Sequence, residues 1–319
     1  MTAHRKFSIF AWFLLVYNLM VVAWGAYVRA TGSGAGCGAH WPLCNGEIIP
    51  IDPQLETIIE YSHRISSGLT LIFVVILFLA ARHSFKKGSL VRKGAFFALF
   101  FTITEALVGA GLVLFELVAE NTSVTRALTM IVHLINTYLL LGAITLTAWW
   151  SSKGDTDRLT WPGGRGVVMI VGMIGFLVLG ASGAVTALGD TLFPAASLAE
   201  GIQQDFSPTA HFLVRLRVLH PVIASLIGLY LLVAAGWLKL KGSPPILIQM
   251  TSILIGLFAL QLVLGIINLI LLAPIWLQLV HLVVSDLVWA ALVLTTEVVF
   301  ARWDGFERLA DYSIKVPVK

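Results

Sequence analysis

The chain has 319 residues, of which 58% are hydrophobic and only 12% are charged. Soluble globular proteins carry about 25% charged residues, so this composition excludes a soluble fold of the same length. The formal net charge is +4. The basic residues lie in short loops between apolar runs rather than in one patch, which argues against a nucleic-acid-binding surface.

Eight apolar segments follow one another along the chain. About 20 apolar residues cross the hydrocarbon core of a membrane, and backbone groups in lipid must pair within the segment, so each segment is predicted to be a helix. We expect the first segment to remain in the mature protein, because it is longer than a signal-peptide core and no A-x-A cleavage site follows it. The segments cover residues 7–28, 64–81, 95–116, 127–150, 167–188, 216–238, 246–273 and 276–300.

The distribution of Lys and Arg predicts that both chain termini lie in the cytoplasm. Long outer loops then cover about residues 29–62 and 189–215. We therefore predict an all-α, multi-pass protein of the cell membrane with eight transmembrane helices. Of the 21 Lys and Arg residues, the ones on the outer side are Arg29, Arg64, Arg126, Arg215 and Arg217.

Short sequence echoes predict that the chain is built from two pseudo-symmetric four-helix bundles, residues 1–150 and 151–319. Residues 105–109 (EALVG) resemble residues 261–265 (QLVLG), and residues 132–134 (VHL) are repeated at 280–282. A further echo joins the ends of the first and fifth segments. Because both halves have the same predicted orientation, the repeat is a parallel one.

Four of the eight histidines stand at the outer ends of the even-numbered segments, each predicted within the first two turns of its helix. A single imidazole in a membrane often only bonds a neighbouring helix, but a repeated set of ionisable groups indicates function. Two axial imidazoles between apolar walls suit a heme, whereas zinc requires three or four ligands. We predict that His63 pairs with His133, and His220 with His281, around heme iron.

Four arginines lie close to these histidines in the sequence or near the same membrane surface. Guanidinium groups pair well with carboxylates, so these arginines are candidate partners of heme propionates. The alternative is that they anchor helix ends among lipid headgroups. The candidates are Arg29, Arg64, Arg126 and Arg217.

Other polar residues leave two interpretations open. Cys37 and Cys44 fall in the first outer loop, where they form either a disulfide or two free thiols. Glu60 precedes His63 by one helical turn and is either a proton acceptor or an ordinary acid near a helix start. Glu105 and Asp286 lie deeper in the membrane, where an ionisable group is a functional candidate, but the sequence indicates no partner for them.

At these residues the sequence resembles the heme A synthase family, membrane enzymes that oxidise one methyl group of heme O to the formyl group of heme A, which terminal oxidases use. The resemblance extends over all eight segments. It rests on the motifs at residues 31–34 (TGSG), 36–38 (GCG), 41–44 (WPLC) and 60–64 (EYSHR), and on His133, His220 and His281.

The resemblance implies a function for most of these residues. His63 and His133 would hold the substrate heme O, and His220 and His281 a heme B cofactor. Cys37 and Cys44 would form a disulfide, and Glu60 would act as a catalytic residue while two hydroxylations give a hydrate that loses water. Some members carry a second cysteine pair in the second outer loop, which this chain lacks. Partners would be heme O and membrane lipid, with heme O synthase and a second copy of the chain as candidates.

Two other functions compete with this interpretation. A cytochrome b-like di-heme protein would carry electrons across the membrane, usually with two ligands on one helix and hemes near both surfaces. A transporter with histidine proton relays would show polar groups near the membrane midplane, and such groups are sparse here. The position of all four histidines near one surface favours the enzyme.

Overall fold

A computed structural model of the protein describes residues 3–153, 159–240 and 243–301. Within these residues it contains eight helices that are long and apolar enough to cross a membrane. This confirms the predicted all-α fold of a multi-pass membrane protein. Several basic residues behind the predicted orientation, at positions 158, 241 and beyond 301, lie outside the described residues, so the cytoplasmic location of both termini stays a prediction.

The second transmembrane helix begins earlier than the hydropathy pattern predicts, at Leu55 rather than near residue 64. Polar residues between 56 and 64 interrupt the apolar run, but the first outer loop pairs with several of them, so the helix continues through them. The helices are α1 (Ala3–Ala30), α2 (Leu55–Ser84), α3 (Leu90–Leu114), α4 (Val124–Lys153), α5 (Gly164–Leu192), α6 (Leu198–Asp205), α7 (Phe212–Leu216), α8 (Leu219–Leu240), α9 (Pro245–Ile270) and α10 (Ile275–Phe300).

The sixth predicted segment is interrupted near its outer end. The helices α7 and α8 together form one candidate span, Phe212–Lys239, with a break at residues 217–218. Pro221 follows the break, and its ring nitrogen has no hydrogen to donate to the preceding turn, which favours a helix boundary there. The short helix α6 in the second outer loop is absent from the prediction, because eight mixed residues give no transmembrane signal.

The eight spanning helices pack as two rings. In the first ring α1 contacts α2 and α4, and α3 contacts the same two helices. In the second ring α5 contacts α8 and α10, and α9 contacts the same two helices. The rings meet where α4 packs against α5 and α10, and where α1 packs against α10. Two four-helix bundles are thus observed, while their symmetry and the functional division at residues 150 and 151 stay predictions.

A large hydrophobic core extends across both bundles. At its centre Tyr138 of α4, Phe176 of α5 and Trp289 of α10 are each only 1% exposed, and their ring centroids lie 5.5–5.8 Å apart. The indole of Trp289 donates a 2.5 Å hydrogen bond to the carbonyl of Tyr138. The bundles are therefore held together by close aromatic packing rather than by loops alone.

Candidate functional site

Each of the four predicted histidines packs against a glycine on a neighbouring helix. A Cβ atom added at these glycines would lie 2.9 to 3.9 Å from the Cε1 atom of the imidazole. The absence of a side chain therefore makes room for the ring. Gly109 and Gly265 are the last residues of the repeated motifs at 105–109 and 261–265. This repetition is the sequence signal that could have identified these two glycines. The pairs are Gly25 with His63, Gly109 with His133, Gly183 with His220 and Gly265 with His281.

Each predicted histidine pair lies within one bundle. His63 of α2 and His133 of α4 belong to the first bundle, and His220 of α8 and His281 of α10 belong to the second, while the pairing of their rings around a heme stays a prediction. His63 and His133 stand farther from the start of their helices than predicted. They lie in the third turn rather than the first two, because α2 begins at Leu55 and α4 at Val124.

The imidazoles differ in their hydrogen bonds. The Nδ1 atom of His220 lies 2.9 Å from the hydroxyl of Ser182, and Nε2 of His281 lies 3.0 Å from the amide nitrogen of Gln261. The Nδ1 atoms of His63, His133 and His281 are buried, and no described residue forms a hydrogen bond with them. A buried ring nitrogen without a hydrogen bond is available to a ligand or to a polar side chain that orients the ring.

The first outer loop is fastened to the start of α2. Cys37 and Cys44 form a disulfide and are fully buried, which confirms the disulfide and excludes two free thiols. The amide of Cys37 donates a 2.8 Å hydrogen bond to Glu60, and the hydroxyl of Thr57 donates one of 2.7 Å to the carbonyl of Gly36. The loop therefore forms a fixed cover over the outer end of the first bundle.

Glu60 is buried and is directed towards this loop. Arg64 donates to one of its oxygens from Nε at 3.1 Å and from Nη2 at 2.5 Å, and from Nη1 to the carbonyls of His40 and Leu43 at 2.7 and 2.5 Å. In the described structure the Glu60 carboxylate is hydrogen-bonded to Cys37 and Arg64 rather than to His63, although both residues share α2. Arg64 thus ties the loop to the helix.

The other three propionate candidates are also engaged by protein groups. Arg29 donates to the carbonyl of Ala187 at 2.7 Å and to Gln278 at 2.8 Å, so it bridges α1 to the second bundle. Arg126 donates to the carbonyls of Ala119 and Asn121. Contact of these arginines with a propionate stays a prediction.

Arg217 fixes the second outer loop. Its guanidinium lies 2.9 Å from Asp205 of α6 and 3.1 Å from Asp190 of α5, and it also donates to the carbonyl of Phe193. Burial raises the pKa of Asp205, and the neighbouring charge of Arg217 offsets part of that rise. An ionic cluster thus fastens the loop that lacks cysteines.

Comparison with known sequences identifies the family. A family model described as cytochrome oxidase assembly protein (COX15-CtaA) matches residues 8–293, which include all four histidines and the disulfide. The chain belongs to this family.

Curated relatives of this chain carry two different names. A protein of Thermus thermophilus named protoheme IX farnesyltransferase is 52% identical over 292 residues, which are 91% of this chain and 48% of that protein. Heme A synthases of Alkalihalophilus pseudofirmus and Halalkalibacterium halodurans are 45% and 47% identical over 112 and 115 residues, about 35% of this chain and 38% of each relative. The chain thus spans about half the length of the Thermus relative.

Two acids lie within the membrane-spanning helices, Glu105 half-buried and Asp286 fully buried, and the sequence did not reveal their surroundings. Glu105 accepts hydrogen bonds from Asn136 and Thr137 of α4 and lies 3.4 Å from Nδ1 of His133. Asp286 is fully buried in α10, and no described residue forms a hydrogen bond with either carboxyl oxygen. Ser285, beside it, contacts the hydroxyl of Tyr138 across the bundle interface at 2.8 Å.

Proposed function

We propose that the chain is a heme A synthase, an oxidoreductase that converts heme O to heme A in the cell membrane with both termini in the cytoplasm. The observation that carries the proposal is the family match over residues 8–293, which joins the chain to relatives named heme A synthase. The two histidine pairs, one in each bundle, support it, because a bis-imidazole site is a common way to hold heme iron.

The residues present fit two hemes. Each bundle carries two imidazoles on apolar helices, and a glycine on a neighbouring helix accommodates each ring, which supplies the two nitrogen ligands that a heme requires. His63 and His133 would hold the substrate heme O, and His220 and His281 a heme B. The bound heme B would supply one-electron redox chemistry.

The proposed reaction requires water, a proton acceptor and an electron acceptor. In each of two hydroxylations the hydroxyl of a water molecule replaces one methyl hydrogen, and two electrons and two protons leave. The hydrate then loses water to give the formyl group. Glu60, one turn before His63, is the acid that we assign to proton uptake. The disulfide-closed loop above it would shield the reacting edge of the substrate from bulk solvent.

The Thermus relative suggests a second candidate and a partner. That protein is named protoheme IX farnesyltransferase, and this chain matches less than half of its length. The second candidate function is therefore farnesyl transfer to heme B, which would make heme O rather than consume it. If the chain instead catalyses the next reaction, from heme O to heme A, a protoheme IX farnesyltransferase is the partner that would deliver heme O.

Expression of the chain in a bacterial host that makes heme O but no heme A tests the proposal. Chromatography of extracted hemes should show heme A and a matching loss of heme O. Unchanged heme O in cells that contain the folded protein would overturn the proposal. In a second host that makes only heme B, the appearance of heme O would favour farnesyl transfer instead.

Single histidine substitutions test the sites. His63→Ala and His133→Ala should abolish heme A formation, and His220→Ala and His281→Ala should lower the content of bound heme B. His83→Ala is the matched control, because His83 is exposed at the end of α2, away from both predicted pairs. Wild-type heme content and activity in all four variants would end the assignment of these ligands.

A further inference from the structure

Glu105 is an acidic group inside a membrane-spanning helix to which the proposed reaction gives no role. Ionisable groups at such positions are costly and are usually retained for function. Glu105 lies nine residues before the end of α3 at Leu114, and His133 lies nine residues after the start of α4 at Val124. At 1.5 Å per residue, both lie about 13 Å along their helices from the connecting loop, at the same depth.

The α4 side chains that follow His133 hold both oxygens of this carboxylate. Asn136 donates to Oε2 at 2.5 Å, and the hydroxyl of Thr137 contacts Oε1. Asn136 is itself fixed, since it accepts a hydrogen bond from Thr104 at 2.7 Å and donates one to the carbonyl of Phe101 at 2.9 Å. The position of the carboxylate is therefore set by α4, the helix that carries the histidine.

The fixed carboxylate faces the Nδ1 atom of the His133 imidazole, which would leave Nε2 as the nitrogen that binds iron. Oε1 of Glu105 lies 3.4 Å from Nδ1 of His133, and this nitrogen has no hydrogen bond to a described residue. An imidazole that keeps its proton on Nδ1 has its lone pair on Nε2. A carboxylate beside Nδ1 is a common outer-sphere partner of a metal-binding histidine, because it fixes the ring and raises the basicity of the ligand.

The second bundle has no such charge at the corresponding place. Gln261 occupies the position in the repeated motif that Glu105 occupies in the first, and its neutral amide lies 3.0 Å from Nε2 of His281, whereas Glu105 faces Nδ1 of His133. Val284 stands one turn after His281, where the first bundle has Asn136 one turn after His133. The two histidine pairs therefore differ by one formal negative charge.

We propose that Glu105 is a positioning residue that orients His133 and places one negative charge beside the first heme, while Gln261 leaves the second heme without that charge. This inference rests on the proposed function, because it requires heme at both histidine pairs. Negative charge beside a ligand stabilises ferric iron, so the heme in the first bundle has the lower reduction potential of the two. The charge difference thereby distinguishes a substrate site from a cofactor site.

Potentiometric titration of the purified protein, reconstituted with heme B at both sites and monitored in the Soret band, tests this inference. Glu105→Gln should raise one of the two midpoint potentials and leave the other unchanged. Gln261→Glu should lower the other potential, so the two substitutions act on different hemes in opposite directions. Glu56→Gln is the matched control, because Glu56 is an exposed acid in the first turn of α2.

The outcomes separate this inference from the proposed function. Wild-type protein that binds no heme would overturn both. Protein that binds two hemes, but whose potentials are the same in the wild type, Glu105→Gln and Gln261→Glu, would overturn only the role of Glu105. If Glu105→Gln fails to fold, the midpoint potential of Gln261→Glu tests the inference instead. A potential that is unchanged or raised in Gln261→Glu would contradict the proposed effect of a negative charge beside the heme.

Discussion

At Gly25 any side chain would meet the imidazole of His63. An added Cβ atom would lie 2.9 Å from Cε1 of that ring, which is closer than van der Waals contact allows. We expect Gly25→Ala to displace His63 and to weaken heme binding in the first bundle by roughly tenfold or more, the scale seen when contacts around a metal ligand are lost. Heme titration followed by absorbance measures the effect.

Gly68→Ala provides the control for this substitution. It adds the same methyl group to α2, but the added Cβ would have no heavy atom within 4 Å. Heme affinity should therefore be unchanged in Gly68→Ala. Equal affinity in Gly25→Ala and the wild type would show that His63 does not need the space beside that glycine.

Arg64 of α2 forms several of the hydrogen bonds between the first outer loop and this helix. Its Nε and Nη2 atoms reach a carboxylate and its Nη1 atom reaches two carbonyls, an arrangement that the single ammonium group of lysine cannot reproduce. We expect Arg64→Lys to reduce the local stability of residues 37–47 by about 1.5–3 kcal/mol, the range for hydrogen bonds to charged groups. Hydrogen exchange of the loop amides measures this loss, and Arg215→Lys at an exposed position should leave exchange unchanged.

At the scale of helices and loops, the two outer loops are fastened by different chemistry. A disulfide and the Glu60–Arg64 pair hold the first loop, whereas Arg217 holds the second through Asp190 and Asp205. Arg217 follows the end of α7 and precedes His220 of α8 by one turn. The ionic cluster therefore couples the second loop to the helix break beside a proposed heme ligand.

Arg217→Gln should loosen this loop. Removal of the guanidinium leaves two partly buried carboxylates without their positive partner, which typically costs about 3–5 kcal/mol for a buried pair and less for one that is partly exposed. Limited proteolysis should cut residues 193–211 faster, while the disulfide-closed loop keeps its wild-type rate. Equal cleavage rates in the variant and the wild type would contradict the role of the cluster.

The sequence predicts the number and order of the transmembrane helices better than the residues at which they begin and end. Hydropathy finds eight spans because lipid imposes the same length and composition on each. It places the start of α2 near residue 64, because it assigns Glu60 and Arg64 to solvent, whereas these two side chains satisfy each other and the loop. Spacing and depth single out the four histidines and predict their pairing. The partners of Glu105 depend on how α3 and α4 face each other, which spacing does not determine.

At the scale of the whole molecule, the two bundles share one core instead of packing as separate units. Tyr138 and Trp289 pack and hydrogen-bond where α4 meets α10, and Arg29 adds a polar bridge at the outer surface. The repeated motifs predict two bundles but not this interface. Tyr138 follows His133 by five residues and Asp286 follows His281 by five, and these equivalent positions carry chemically different side chains. A change at this interface is therefore expected to affect the stability of the entire protein.

Asp286 is the group at this interface whose burial carries the clearest cost. It is fully buried and lacks a hydrogen bond to any described residue, and an unpaired buried polar group costs about 1–3 kcal/mol. Asp286→Leu replaces the unpaired carboxyl group by an apolar side chain of about the same size, so the melting temperature in detergent should rise. Asp52→Leu, at an exposed loop position, should leave it unchanged. Because proteins retain such costly groups chiefly where function needs them, we expect the stabilised variant to make less heme A. A lower melting temperature would instead show that Asp286 stabilises the interface.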